Sequence, residues 1–368
     1  VEACAGGVAL SAVTKEEARE NLNTGQKAGN LMKKNVSKTP EMASDKAKIE
    51  IMPVYVPALR SDGTPTEVVY HDADDNLIET RYEAKPIVVT YLDEVEDSGA
   101  LDVFAAISRD DGDTWKRRNL SKTGGRSSFD TELGAAYPGE SWKPMLKVKG
   151  NKIFVAWTDK YCRGGRPRYA VKVCEDLDED GLPDPCEFCR ETDEGLKCAP
   201  DYQGDDVYWK DDLFGVGGPQ RSVVYEDFPE MGEVPYSCVW TARAVIDPAT
   251  GDIQWFKPER LTSGRRDAFQ LFAHAATGAG FAIVWQEDPK GLRPGEGDGP
   301  GEGWSGARSN NKTDIWYSYI AMSDFDEIDY DYPGGGYGEH DDIVDTDPEL
   351  SGRVKALVPM SMPVKISD

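Results

Sequence analysis

The feature that most constrains this chain is a strand pair that recurs along it. Three apolar runs end on a similar note: Ile87-Val-Val-Thr-Tyr-Leu-Asp93, Ile153-Phe-Val-Ala-Trp-Thr-Asp159 and Phe281-Ala-Ile-Val-Trp-Gln-Glu-Asp288. Each is followed, across a loop of variable length, by a second alternating run: Leu101 to Ser108, Arg168 to Val173 and Thr313 to Ile320. Two longer segments also echo each other. From Trp115 to Arg126 and from Trp255 to Arg266, a Trp opens a strand that closes at a Leu and leads into a Ser/Thr, Gly, Arg turn. Short alternating runs punctuated by Gly, Pro, Asn and Asp are the all-β signature. A self-similar unit of roughly 50 to 60 residues that forms one small antiparallel sheet is a blade. The spacing therefore predicts an all-β chain, a β-propeller of about six blades, each an antiparallel four-stranded sheet. A β-sandwich with chance likeness between strands is the alternative.

Residues 1–47 differ from the rest of the chain. Thr14-Lys-Glu-Glu17 has the form of a capping box, and the stretch to Lys34 reads as a helix. An N-terminal helical arm is expected there, ahead of a propeller over 48–368. The arm either packs across the propeller or supports self-association through residues 1–45.

Ser108-Arg-Asp110-Asp-Gly112-Asp-Thr114-Trp115 matches the pattern S-x-D-x-G-x-T-W at every fixed place. Its chemistry is that of a turn: Asp110 accepts from backbone N–H groups, Gly112 supplies positive φ, and Trp115 packs into the sheet. A degenerate counterpart, Asp247 to Trp255, keeps the Gly and the Trp. In this segment the chain resembles the sialidase-like, Asp-box propellers. The resemblance implies a propeller whose boxes lie away from the catalytic face, so it speaks to fold and not to activity. It also implies where an active site would be, in a funnel where three arginines grip a carboxylate beside a Tyr and Glu pair. The F-R-I-P strand of that family is missing, with Ala58-Leu59-Arg60 the nearest match. Arg126, Arg221, Arg265 and Arg266 are the candidate anion grip. Tyr161 to Pro167, Gly215 to Ser222, Leu261 to Asp267 and Gly291 to Gly306 resemble stretches of bacterial exported propellers of unassigned role.

Asp176-Leu-Asp178-Glu-Asp180-Gly181-Leu182-Pro-Asp184-Pro-Cys-Glu187 fits D-x-D-x-D-G-x5-E. Calcium takes six to eight hard oxygens, on the order of 2.3 to 2.6 Å away. Asp176, Asp178 and Asp180 would supply carboxylates, Leu182 a backbone carbonyl, Asp184 a direct or water-mediated contact, and Glu187 both oxygens. A merely acidic, solvated loop is the alternative. Pro183, Pro185 and the flanking cysteines suit a permanent clamp better than a sensor.

The balance of 67 Asp and Glu against 42 Lys and Arg, a net charge of −25, disfavours nucleic acid and anionic lipid as partners and favours cations. No run approaches the roughly 18 apolar residues of a membrane span. Seven cysteines are present, and Cys174, Cys186, Cys189 and Cys198 crowd into an insertion over 174–204, with Cys162 and Cys238 outside it. That crowding points to disulfides in an oxidising compartment. Half a zinc site at Cys186 and Cys189 is the alternative. Cys4 is left over as a free thiol, an intermolecular bridge or a lipidation point. The start without Met fits a mature chain that has lost a signal peptide.

A second acidic run, Asp324 to Asp331, precedes Gly334 to Gly336 and His340-Asp-Asp342, and reads as a solvated edge or a further cation site. The remaining histidines are His71 and His274, and no CxxCH, HExxH or GxSxG motif occurs. The expected protein is a secreted or surface-displayed, calcium-binding propeller, a structural and binding protein without catalysis whose partner is a carbohydrate or another surface protein. A sialidase-type glycoside hydrolase and a subunit of an extracellular filament or layer are the alternatives.

Overall fold

The structure, a computed structural model, describes residues 36–39, 43–71, 76–95, 98–127, 139–165, 171–173, 187–192, 195–199, 221–223, 233–262, 264, 266–288, 313–330 and 343–367. Among them strands dominate, and all named pairings are antiparallel. The only helices there are two single turns, Ile343–Thr346 and Pro348–Ser351. Three sheets are four-strand meanders in chain order. The first joins Ser44–Ile51, Ile87–Glu94, Leu101–Ser108 and Lys116–Asn119. The second joins Ser141–Lys149, Lys152–Asp159, Cys238–Ile246 and Ile253–Trp255, with Glu259–Arg260 also on its third strand. The third joins Asp267–Ala276, Gly280–Asp288, Asp314–Ala321 and Val364–Lys365. A three-stranded sheet and three two-stranded ones complete the described pairings.

The three recurring apolar runs are thus the second strands of the three meanders, and Leu101–Ser108 and Asp314–Ala321 are third strands. Of the run Arg168 to Val173 the structure describes Val171–Val173, which is not a third strand. The third strand of the second sheet is Cys238–Ile246, which pairs with Lys152–Asp159 from Lys152↔Val245 to Asp159↔Cys238. Val171–Val173 instead belongs to a small sheet with Glu187–Thr192 and Gly195–Ala199. The nine-residue strand wins because it is buried on both faces and pairs with Lys152–Asp159 over all eight of that strand's residues. The break in the sheet consequently runs from residue 160 to 237. The first sheet begins at Ser44, inside the stretch assigned to the arm, whose residues 1–35 lie outside the described ones.

Successive side chains of a strand point to opposite faces, so a strand apolar throughout needs a partner on each side. Lys152–Asp159 is buried at every position. Ile153, Val155 and Trp157, with Trp240 and Ala242, pack against Val88, Leu92, Val103 and Ile107 of the first sheet. The alternate residues Phe154 and Ala156, with Val239, pack against Phe281, Ile283 and Trp285 of the third. The second sheet is the shared wall of both cores. Arg243 ties it to the third sheet's later segments: its guanidinium pairs with Glu259 at 2.7 Å and donates to the carbonyls of Phe325 and Val358 at 3.1 and 2.8 Å. Both ion-pair partners are buried, and the extra carbonyl contacts satisfy the guanidinium.

Candidate functional site

The turn between the third and fourth strands of the first sheet holds Ser108 to Trp115. Asp110 accepts from the Ser108 hydroxyl and the Thr114 N–H, both at 2.8 Å, and from the Thr114 hydroxyl. The Ser108 Oγ accepts from Gly112 N–H at 2.8 Å, and Trp115 Nε1 donates to the Gly112 carbonyl at 3.1 Å. Gly112 takes φ of 89°, where a side chain would be strained. The degenerate counterpart closes with Gly251 N–H donating to Asp247 O at 2.7 Å. The two turns touch, since Arg109 donates to the Gly251 carbonyl. They pin the first two sheets together at one end.

The segments after these turns are also equivalent. Leu120 and Leu261 donate to the Val103 and Val239 carbonyls at 2.7 and 2.8 Å. Ser121 and Thr262 hydroxyls accept from the N–H groups of the same two valines at 3.0 and 2.9 Å. The glycine of the second echo is needed for room: a Cβ on Gly264 would lie 2.7 Å from that of Cys162.

At the opposite end, where the second strands finish, carboxylates are buried. Asp93 accepts from Ser44 at 2.7 Å and from Arg117 at 2.7 Å. Asp159 accepts from Ser141 at 2.6 Å, Thr123 at 2.7 Å and Tyr161 N–H at 2.7 Å. Thr123 also donates to Asp102 at 3.2 Å, so one hydroxyl bridges carboxylates of two sheets. Burial pushes Asp159 up from 3.8 to about 6, against the lowering effect of those hydrogen bonds. The folded protein therefore holds a proton that the unfolded chain releases at lower pH. The associated stability is full below 3.8 and is lost as pH rises through about 6. Its size is about 3 kcal/mol, at about 1.4 kcal/mol per pH unit. Asp159→Asn should flatten the fall in stability between about pH 4 and 6; urea melts across that range check this, and an unchanged slope would assign it to another group.

The leading strand of each sheet, an edge strand, carries an irregularity in the same place. Pairing slips between Asp45 and Lys48 in the first sheet, opposite Ala156 and Thr158 in the second, and between Phe269 and Phe272 in the third. Each slip holds one non-glycine residue at positive φ: Lys46 at 54°, Lys143 at 48° and Gln270 at 51°. A buried aromatic lies across each slip, Tyr91, Trp157 and Trp285 in turn. In this register Asp93 and Asp159 correspond to Glu287, one residue before the Asp288 that the sequence pattern suggests.

The three side chains form a row. Lys143 Nζ donates to Gln270 Oε1 at 3.3 Å, and Lys46 Nζ lies 5.1 Å from the Trp142 ring centroid while pairing with Asp45 at 2.7 Å. Lys147 and Glu50 join the first two leading strands beside it at 2.8 Å. Burial, and then the charge of Lys46, hold the Lys143 ammonium below the usual lysine range. Among the described residues no carboxylate pairs with Lys143. Lysines on bulged strands also blunt sheet edges, but that purpose needs no common register. A bulge re-aims a side chain, and strain repeated at one level marks a site. The row can hold an anion between two amines, with an amide and an indole alongside. Sequence reasoning missed it; Ser44-x-Lys46 and Ser141-x-Lys143 were the available signal.

The expected sites fare differently. Arg126 lies 3.8 Å from Asp347, and Arg266 packs 5.5 Å from the Trp316 ring centroid and 3.9 Å from Glu287. These two stand beside different carboxylates. Arg221 starts a strand paired with Glu233–Pro235, and Arg265 lies outside the described residues. Asp176, Asp178, Asp180, Leu182 and Asp184 also lie outside them; Glu187 opens its strand directly across from Val173. Cys162 and Cys238 form a disulfide that closes the base of the break in the second sheet. Cys189 and Cys198 are opposed in register, while Cys4, Cys174 and Cys186 lie outside the described residues. In the second acidic run Asp326 pairs with Lys152 and Asp329 with Lys355, the latter at 2.8 Å. Asp331 and His340 lie outside the described residues, and His71 and His274 are exposed. Among the described residues no three His, Cys, Asp or Glu gather as metal ligands would.

No family matches the chain, and no curated protein does. Among solved structures, the GH93 α-L-arabinofuranosidase of Fusarium graminearum with arabinobiose is 11% identical, with a TM-score of 0.15 over 75% of this chain and 67% of that one. The α-L-arabinofuranosidase Arb93A of Fusarium graminearum with an iminosugar inhibitor is 10% identical, with a TM-score of 0.14 over 75% and 67%.

Proposed function

We propose that the chain is a calcium-clamped β-propeller that works outside the cytoplasm as a binding protein without catalysis, and that it holds an anionic ligand on the row of Lys46, Lys143 and Gln270. The coincidence of three strained bulges at one level of three leading strands carries this reading. Four-strand meanders stacked face to face are the construction of blades, and leading strands side by side are that of an inner wall. About six blades remain the expectation for the whole ring. The Cys162–Cys238 bridge supports an oxidising compartment. Calcium at Asp176, Asp178, Asp180, Leu182, Asp184 and Glu187 is supported by the motif, whose last residue, Glu187, pairs with Val173, three residues ahead of its first.

An anion held by two ammonium groups gains about 1.5 to 3 kcal/mol for each charged hydrogen bond. Calorimetric titration of the full chain with sulfate and with D-glucuronate is the test. Replacing both lysines, Lys46→Ala with Lys143→Ala, should weaken binding at least about tenfold and remove its salt dependence. Equal binding by the double variant, or none by the wild type at millimolar ligand, would leave the lysines as edge protection alone. Turnover of aryl glycosides would overturn the non-catalytic part.

A further inference from the structure

A second place on the molecule is shaped for a ligand, and it shares no residue with the lysine row. Val56–Pro57 pairs with Glu83–Ala84, and Val68–His71 forms a hairpin with Leu77–Arg81. Where these two small sheets adjoin, Tyr55, Thr80, Arg81, Tyr82 and Glu83 line an open cleft of about 540 Å³. Tyr55 is 45% exposed and Tyr82 66%, large aromatic surfaces to leave in water. Neither phenol is loose. Arg81 Nη1 donates to the Tyr55 hydroxyl at 3.1 Å, and the Tyr82 hydroxyl donates to Glu67 at 2.9 Å. Arg81 is itself held by Glu79 and lies 5.4 Å from the Tyr70 ring centroid. Tyr82 is fixed by its edge while its faces stay exposed; Tyr55 already carries Lys85 Nζ at 5.0 Å and the Arg81 guanidinium at 6.0 Å from its ring centroid.

The occupant is set by what the cleft lacks and what it has. Thr80 and Arg81 pair with Val69 and Val68, and Glu83 with Pro57, so each lining strand has one edge taken by its partner, and the Tyr82 carbonyl between them accepts from Ala58 N–H at 2.8 Å. The groups that line the cleft for recognition are side chains. Arg81 and Lys85 stand against Glu67, Glu79 and Glu83, one carboxylate in excess, which gives an anionic ligand no net attraction. Exposed rings beside a guanidinium and carboxylates suit a molecule with an apolar C–H face and vicinal hydroxyls. We propose that this cleft binds a neutral oligosaccharide, one sugar ring stacking on Tyr82 and its hydroxyls meeting Glu83 and the Arg81 that Tyr55 holds in place.

The test uses the full chain and neutral hexasaccharides of glucose, mannose and xylose, with a galacturonate hexamer as the acidic counterpart, followed by saturation-transfer NMR and calorimetry. At least one neutral probe should bind at millimolar concentration. Tyr82→Ala and Tyr55→Ala should each weaken it about tenfold or more. Tyr82→Phe keeps the ring and should retain most of the affinity. Lys143→Ala should change nothing, which separates this cleft from the lysine row. Unchanged melting curves for the tyrosine variants confirm that folding is intact. No binding by any neutral probe, binding indifferent to both tyrosines, or preference for the acidic hexamer in this cleft would overturn the proposal.

Discussion

Replacing Cys162 and Cys238 together with serine should lower the stability of the protein by about 4 kcal/mol. The bridge spans a sequence separation of 76, and it sits at the point where the second sheet is interrupted. Without it the unfolded chain is free to separate two strands that must pair along their whole length. Loop-closure entropy of that size is what a cross-link removes. The loss should be global, because Lys152–Asp159 and Cys238–Ile246 contribute to both hydrophobic cores. Urea melts of the wild type and the double variant, with and without reductant, give the number. Reductant should bring the wild type close to the variant and leave the variant where it is. Coincident melts for the two proteins without reductant would show that the bridge is not formed.

Calcium should raise the melting temperature of the wild type, and Asp176→Ala combined with Asp180→Ala should abolish that response. A ligand in hundredfold excess over its Kd adds about 3 kcal/mol to the state that binds it. External calcium near millimolar provides such an excess for a site with Kd on the order of 10⁻⁵ M. The motif is expected to close on Glu187, whose strand faces Val173, so the first backbone amides to gain protection should be those of Val171–Val173 and Glu187–Ala199. Hydrogen exchange with calcium and with chelator reads this directly. Melting that ignores calcium, or a double variant that still responds to it, would remove the motif as a site.

The sequence disclosed what short-range pattern encodes. Ile87–Glu94 and Gly280–Asp288 announce themselves by apolar alternation, and the eight residues from Ser108 to Trp115 specify a turn whose Ser108, Asp110, Gly112, Thr114 and Trp115 hydrogen-bond among themselves. The third strand of the second sheet was hidden by the long interruption, so Arg168 to Val173, the next alternating run, stood in its place. The correspondence at Glu287 was missed by one residue because register is decided by bulges, and a bulge leaves no composition of its own. The row of Lys46, Lys143 and Gln270 was opaque for the same reason. Nothing in Ser-x-Lys says that the backbone will turn to positive φ there. Nor does an arginine's sequence context tell whether a carboxylate stands beside it, as Asp347 does beside Arg126.

The doubly covered second sheet bears on mutational tolerance. In a strand with one wet face, alternate positions accept almost any polar residue. Ile153 to Trp157 has no wet face at all, so each position is fitted to one neighbouring sheet or the other. A saturation library over those five residues should yield scarcely any folded variants, while the same library over Ser44–Ile51, exposed or half-exposed throughout, should be largely permissive. Variation that leaves the scaffold intact is thereby channelled to the leading strands and the connecting segments, and a chain built this way can change what it binds without renegotiating how it folds.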